Sequence, residues 1–309
     1  MKKVFKNEDC QLRSGWKILI TYVSFFVVTN IIAMIVFTAY SASVLLSAGG
    51  DISPEELTKL ITENNMLNTS VMFIQVGIMI LSVILFWKIF DKRPLKDLGL
   101  VNPLKSMNNL VYGLIFGAVS ISLIFFFLLF TGQIEMVNSF LQPKITKWLI
   151  IDLVLFILVG FNEELFSRGY CITVLGQTKS RWVMILVSSL IFSAMHLLNP
   201  NVSYLGLLNI FLVGILFAIM FIKSGDLWMS IGYHITWNYF QGNIFGFNVS
   251  GKDVHGIYSL KYTTENIING GKFGPEGGII TSIILIISIV FVIKYTFREN
   301  NIVEFKQSY

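Results

Sequence analysis

Two adjacent carboxylates, Glu163 and Glu164, lie beside Arg168 within the apolar run 148–175. A charge near the centre of a bilayer costs at least ~2.5 kcal/mol, so ionisable residues in such a run indicate a functional site. Residues four apart share one face of a helix, which pairs Glu164 with Arg168. That pair could be a structural link between helices. Glu163, which points about 100° away, has no partner in its own helix, and packing alone does not explain it.

Two histidines and an asparagine follow on later apolar runs. His196 lies four residues after Phe192, and His234 lies four residues before Asn238. A lone histidine on an apolar run is commonly structural, but 163 and 196 lie equally far from the polar stretch 176–181. In a helical hairpin both would lie about 20 Å from its tip, and His234 lies about 12 Å into its own helix. We expect these side chains to meet.

Together these residue types are suited to activating water. A carboxylate with a histidine can take a proton from water, and histidine and asparagine can stabilise the oxyanion that forms at a carbonyl. This chemistry is peptide-bond hydrolysis. Zinc also accepts such ligands, and Glu163, His196 and His234 would be the set if a metal is bound. The His-Glu-x-x-His helix signature is missing, so we assign no metal and require no cofactor.

The composition is that of a membrane protein. Of the 309 residues 54% are hydrophobic and 13% charged, and the mean hydropathy is +0.71, whereas soluble domains carry about 25% charged residues. The net charge of +5 resides in short connections, which favours membrane topology over nucleic-acid binding. Cys10 and Cys171 are not expected to form a disulfide.

Eight apolar runs are long enough to span a bilayer, which predicts an all-α, polytopic helix bundle. The first is too long for a signal-peptide core. The runs are about 18–46, 67–89, 107–131, 146–175, 182–198, 203–223, 227–246 and 277–296. The Gly-rich connection 247–276 is expected to fold back over the bundle.

Alternate connections carry very different numbers of basic residues, with 17 of the 23 Lys and Arg residues on one side. The positive-inside rule therefore places both termini in the cytoplasm. We expect a multi-pass protein of the cell membrane with its site open to the cytoplasm. Residues 1–90 form a two-helix region outside the motifs, 91–297 the core and 298–309 a cytoplasmic tail.

The ordered motifs Glu-Glu-x-x-x-Arg (163–168), Phe-x-x-x-His (192–196) and His-x-x-x-Asn (234–238) resemble those of the CPBP intramembrane proteases, also called the Abi or CAAX-protease family. The resemblance covers roughly 90–297. The stretches 225–243 and 271–278 are similar to the bacterial branch.

The resemblance implies a role for each motif residue. Glu163 and His196 would activate the attacking water. His234 and Asn238 would form the oxyanion site, and Glu164 and Arg168 would orient the first carboxylate. Eukaryotic relatives cleave prenylated CAAX proteins, a substrate that a bacterial member would lack. Bacterial relatives are associated with bacteriocin immunity, peptide-signal processing and the cell envelope. The family is called a metalloprotease family, although its metal requirement is disputed.

The main hypothesis is an intramembrane endopeptidase that hydrolyses a membrane-associated peptide or protein without a covalent intermediate. The alternative is a non-catalytic bacteriocin-immunity or envelope scaffold protein in which the polar cluster only fixes the helices. A proton-coupled transporter is a third hypothesis, but the inverted repeats and broken helices of transporters are missing from the sequence. The expected partners are the lipid bilayer and the membrane-associated substrate.

Overall fold

The computed structural model describes residues 2–7, 10–49 and 51–295. Each of the eight predicted runs is helical over most of its described length, which confirms the all-α membrane fold. The helices are α1 Lys2–Phe5, α2 Ser14–Ser47, α3 Pro54–Thr62, α4 Asn65–Phe90, α5 Met107–Phe130, α6 Trp148–Glu164, α7 Thr173–Leu175, α8 Arg181–Ala194, α9 Tyr204–Ser224, α10 Trp228–Tyr239 and α11 Ile279–Tyr295. Among the described residues α2, α4, α5 and α9 are long and apolar enough to cross a membrane. The predicted tail 298–309 lies outside the described residues.

The chain divides into two compact units, Met1–Arg93 and Pro94–Tyr309. In the first unit α2 packs along α4. Lys17, buried in the first turns of α2, forms an ion pair with Asp91, with 2.5 Å between Nζ and Oδ1. Because a buried ammonium group is costly without a partner, this pair fixes the cytoplasmic-side ends predicted for the two helices against each other.

In the second unit α5 and α10 approach closely through glycines. A Cβ atom at Gly113 would lie 2.1 Å from the Met229 carbonyl oxygen, and one at Gly232 would lie 2.5 Å from that of Leu110. Small residues allow this approach, as is usual where membrane helices pack without a hydrophobic driving force. The packing fixes the position of α10, which carries His234.

The helix α6 continues without a break through a π-helical segment, Leu165–Ile172, into α7. All residues of this segment are buried. Wide turns of this kind are rare and are frequent at functional sites. Here the segment begins directly after Glu164 and carries Arg168.

The helix α8 ends at Ala194, four residues before the predicted end at 198. The Ser193 hydroxyl donates a hydrogen bond to the Leu207 carbonyl at 2.8 Å, and the chain turns at Asn199 and Pro200. Pro200 disfavours the helical conformation only at Asn199, so it limits the turn that follows α8 and does not account for the end of α8 at Ala194. Because α8 ends at Ala194, His196 lies in a turn, contrary to the expected span.

The connection 247–276 folds back onto the helices, as expected. Asn209 of α9 donates from Nδ2 to the carbonyl oxygens of Glu276 (2.7 Å) and Gly278 (2.9 Å). The same connection contributes β2 Leu260–Tyr262, which pairs antiparallel with β1 Ile134–Met136. These three-residue strands are too short to show a periodicity in the sequence.

Candidate active site

Glu164 and Arg168 form the predicted ion pair in a fully buried position. Arg168 Nη1 donates to Glu164 Oε1 at 3.0 Å, and Nη2 donates to the Gly214 carbonyl at 3.3 Å. The guanidinium carbon lies 4.2 Å from the ring centroid of Phe192 and 5.0 Å from that of Phe217. These aromatic faces attract a cation. Arg168 thus connects the π-helical segment with α8 and α9.

The imidazole of His234 lies between the two adjacent carboxylates. Its Nδ1 is 3.2 Å from Glu164 Oε1, within hydrogen-bond distance, and its Nε2 is 3.8 Å from Glu163 Oε2. A proton on Nδ1 that is donated to Glu164 leaves Nε2 facing Glu163. The structure shows a contact from Glu164 to His234, and the role of Glu164 in orienting Glu163 stays a prediction.

His196 is held by the turn that follows α8. Its Nδ1 lies 2.9 Å from the Phe192 carbonyl oxygen, so Nδ1 carries the proton of this hydrogen bond and Nε2 is left as the basic nitrogen. Within the described residues, no hydrogen bond or ion pair joins His196 to Glu163. That both side chains act on one water stays a prediction.

Phe192 connects the separate parts of the site. Its ring centroid lies 5.0 Å from that of His196 and 6.1 Å from that of His234, and the Arg168 guanidinium stacks on the same ring. The sequence motif contained Phe192, but its role was not predicted, nor were those of Phe217 and Gly214. A phenylalanine four residues before a histidine was the only signal available.

Asn238 lies one turn after His234 on α10 and is 7% exposed. None of the hydrogen bonds between described residues uses its side-chain amide, which can therefore donate to a bound group. Residues four apart lie on the same helix face, so Asn238 and His234 are suited to bind one oxygen together.

Several buried polar atoms of this region accept or donate no hydrogen bond to the described part of the protein. They are Asn162 Oδ1, Glu163 Oε2, Glu164 Oε2, Ser167 Oγ and Arg168 Nε. Most buried polar atoms in folded proteins have a partner. Their concentration within seven residues marks a place where polar groups of a water or a peptide can bind.

The three side chains proposed as metal ligands do not converge. Within the described part of the chain, no group of three or more His, Cys, Asp or Glu side chains has the spacing of a metal site. Glu163 and His234 face each other, but His196 is bound to its own turn. As placed, this donor set does not fit the closely spaced ligands that zinc requires.

Residues 145–240 match the family model of the type II CAAX prenyl endopeptidase Rce1-like proteins, which are part of the CPBP family. The match covers about a third of the chain. It includes all six residues that the sequence analysis singled out, namely Glu163, Glu164, Arg168, His196, His234 and Asn238. No curated protein and no solved structure matches the chain.

Proposed function

We propose that the chain, whose residues 145–240 match a family model within the CPBP family, is an endopeptidase that hydrolyses a membrane-associated peptide or protein. The observation that supports this most directly is the placement of His234 between Glu163 and Glu164. One carboxylate holds the imidazole, and the other faces its second nitrogen. This arrangement provides a base and a polarised donor at one point.

Glu163 is proposed to act as the general base. It takes a proton from water while the water oxygen attacks the carbonyl carbon of the peptide bond. A base must be free to accept that proton, and Glu163 Oε2 accepts no hydrogen bond from the described residues. The same proton then passes to the leaving nitrogen as the carbon–nitrogen bond breaks, so that no covalent intermediate with the protein is needed.

His234 and Asn238 are proposed to stabilise the oxyanion of the tetrahedral intermediate. The Glu164 carboxylate holds the His234 ring through Nδ1 and accepts a hydrogen bond from Arg168 Nη1. With a proton on each nitrogen, the ring held in this way donates Nδ1–H to Glu164 and can donate Nε2–H to an oxyanion. Preorganised donors of this kind contribute about 3–4 kcal/mol each in other hydrolases.

His196 is proposed to assist Glu163 through its Nε2, since Nδ1 is fixed by the Phe192 carbonyl. Its ring contacts Phe192, which also contacts His234. The family resemblance supports this role. No metal is assigned to the reaction, and metal analysis of the purified protein and its Glu163→Gln form tests that proposal.

The location is also a proposal. The distribution of Lys and Arg favours the cell membrane with both termini in the cytoplasm and a site open to that side. Cysteine substitution at Lys179 and at Lys252 tests it with a membrane-impermeant thiol reagent on intact cells. Labelling at position 252 alone supports the orientation, and labelling at 179 alone contradicts it.

The central experiment compares membrane peptides from cells that carry the native protein or its Glu163→Gln form. Peptides that accumulate uncleaved only with Glu163→Gln are the expected result. His255→Gln is the matched control because this histidine lies in the 247–276 connection. Identical peptide profiles for the native and Glu163→Gln proteins at equal protein levels would contradict the proposal.

A non-catalytic scaffold or bacteriocin-immunity function is the second candidate. It is favoured by the way Arg168 connects three helical elements through Glu164, Gly214 and Phe192. If protection or partner binding survives Glu163→Gln but is lost with Arg168→Leu, the scaffold function is supported. If Glu163→Gln removes protection at an unchanged protein level, the peptidase function is supported.

A further inference from the structure

Glu276 is a buried carboxylate outside the site described above, in the short segment 271–278 before α11. It is 8% exposed. Its Oε2 accepts hydrogen bonds from Gln241 Nε2 at 3.0 Å and from the Ser250 backbone N–H at 2.5 Å, and its Oε1 accepts one from the Ser250 hydroxyl at 3.0 Å. A buried acid costs free energy unless it is hydrogen-bonded, and here both oxygens are.

One of these contacts leads to the helix of His234 and Asn238. Gln241 lies three residues after Asn238, in the π-helical segment Phe240–Ile244 that continues α10. Its Nε2 also donates to the Asn248 carbonyl at 2.7 Å. Glu276 therefore fixes the end of α10 and the chain that leaves it.

The other contacts lead to the turn of His196. The Ser250 carbonyl accepts a hydrogen bond from Asn199 Nδ2 at 3.1 Å, and the Asn199 backbone N–H donates to the His196 carbonyl at 3.1 Å. Gly251 lies so close to this turn that a Cβ atom would be 1.9 Å from the Pro200 carbonyl oxygen. Its φ of +83° also favours glycine.

The segment that carries Glu276 is itself well anchored. Asn209 binds its carbonyl, as described above, and the Thr281 hydroxyl donates to the Pro275 carbonyl at 2.6 Å. Gly274 has φ +99°, and a Cβ atom there would lie 2.2 Å from the Asn248 carbonyl oxygen. Glu276 therefore has a fixed position, and its hydrogen bonds hold both the turn that carries His196 and the helix that carries His234.

We propose that Glu276 is a positioning residue that sets the placement of the His196 turn relative to the helix of His234 and Asn238. The proposal rests on the proposed peptidase function and adds a residue outside the three motifs. Two carboxylate oxygens can accept three hydrogen bonds in the geometry shown, which an apolar side chain cannot. Misplacement of a catalytic group by about 1 Å can cost roughly a hundredfold in rate.

The hydrogen-bond pattern distinguishes two substitutions. Glutamine can keep all three contacts, because its amide oxygen can replace Oε2 and its NH2 group can donate to the Ser250 hydroxyl oxygen. Alanine keeps none. Glu276→Ala should therefore lower activity, whereas Glu276→Gln should keep it near that of the native protein. Glu265→Ala is the matched control, since Glu265 lies exposed in the same connection.

The experiment uses the full-length protein in lipid nanodiscs and an internally quenched peptide that carries one hydrophobic membrane segment. Glu276→Ala is expected to lower kcat roughly tenfold, with KM within about twofold. Glu276→Gln and Glu265→Ala should stay near the native kcat. A second measurement records the His196 ring signals in protein labelled with ¹⁵N-histidine, assigned through His196→Gln. They should shift in Glu276→Ala and not in the other two variants.

Native kcat and native His196 signals in Glu276→Ala would overturn the proposal, as would an equal loss in Glu276→Gln. If the native protein cleaves no such peptide, the peptidase proposal fails in this assay while the ring signals still decide the positioning role. If Glu276→Ala does not fold, Ser250→Ala and Gln241→Ala replace it, since each removes one donor. Native ring signals in both would then contradict the inference.

Discussion

The two buried carboxylate regions of the second unit differ in how their oxygens are used. Both oxygens of Glu276 accept hydrogen bonds. At Glu163 and Glu164, by contrast, each Oε2 accepts none from the described residues. A buried polar group normally has its partners, so a carboxylate with free capacity is suited to bind water or substrate. A fully hydrogen-bonded one is suited to hold elements in place.

The largest loss of activity is expected from substitutions of Glu163 and His234. Glu163→Gln cannot take a proton from water, and His234→Ala removes both the donor and the contact with Glu164. Each should lower peptide hydrolysis by about 10²–10⁴-fold without changing the protein level. Initial rates of purified proteins in nanodiscs measure this.

If Glu163→Gln and His234→Ala lower the stability of the protein as well as its activity, Glu163 and His234 hold elements in place, as is proposed for Glu276. Thermal unfolding of the same samples therefore accompanies the rates. The comparison between the two regions holds only if activity falls while the unfolding midpoint stays near that of the native protein.

The ion pair beside the site should behave as a structural pair. Arg168→Leu leaves Glu164 buried without its cation and is expected to cost about 3–5 kcal/mol of stability. The double change Arg168→Leu with Glu164→Gln should be less destabilising, since it leaves no unpaired charge. Thermal unfolding in detergent measures both, and equal losses in the single and double variants would contradict a charge effect.

The packing of α10 serves both regions, because α10 carries His234 and leads to Gln241. Gly232→Ala would place a Cβ atom 2.5 Å from the Leu110 carbonyl oxygen, which forces α5 and α10 apart. We expect a loss of about 1–3 kcal/mol and a lower rate of hydrolysis. Gly77→Ala in α4 is the control, since no atom lies within 4 Å of its Cβ position. Equal effects of both changes would contradict the role of this contact.

The smallest effect concerns the pH dependence of stability. Burial raises the pKa of Glu276 above its ordinary 4.5, although its hydrogen bonds and the nearby His196 oppose this. A raised pKa in the folded protein means that stability is fully present below 4.5 and falls as the pH rises through the folded-state pKa. Tyr262 also interacts with this carboxylate.

Glu276→Gln removes that titration. The unfolding midpoint of Glu276→Gln relative to the native protein should therefore increase as the pH is raised from 4 towards 7. Unfolding curves at several pH values measure the difference. A difference that decreases over this range would show that the hydrogen bonds, rather than burial, control this carboxylate.

The sequence predicted the helices and the Glu164–Arg168 pair because both follow from regular spacing. It failed at the end of α8, because the apolar residues Leu197 and Leu198 continue the pattern after the helix has ended. The contact of His234 with Glu164 depends on how two helices are rotated, which the spacing along one helix does not reveal.

The Glu276 contacts were beyond prediction for a different reason. They join Glu276 to Gln241 and Ser250, and Ser250 in turn binds Asn199; these residues belong to two connections and a helix end. Connections show no periodicity, so the sequence showed that the 247–276 connection is rich in glycine but indicated none of the contacts of Glu276. Gly270 and Gly274 of this connection have positive φ values that permit the tight path of the chain.

The π-helical segment Leu165–Ile172 has a further consequence for the phase of its helix. A widened turn accommodates one more residue than an α-helical turn, so the side chains beyond Ile172 are rotated by about 100° from the directions that an unbroken α-helix would give them. An α-helical stretch one residue shorter would give Thr173 and its successors the directions they have now, whereas an α-helix over all eight residues would turn them to another neighbour. The directions of the side chains that follow thus depend on the winding of this stretch as well as on its length.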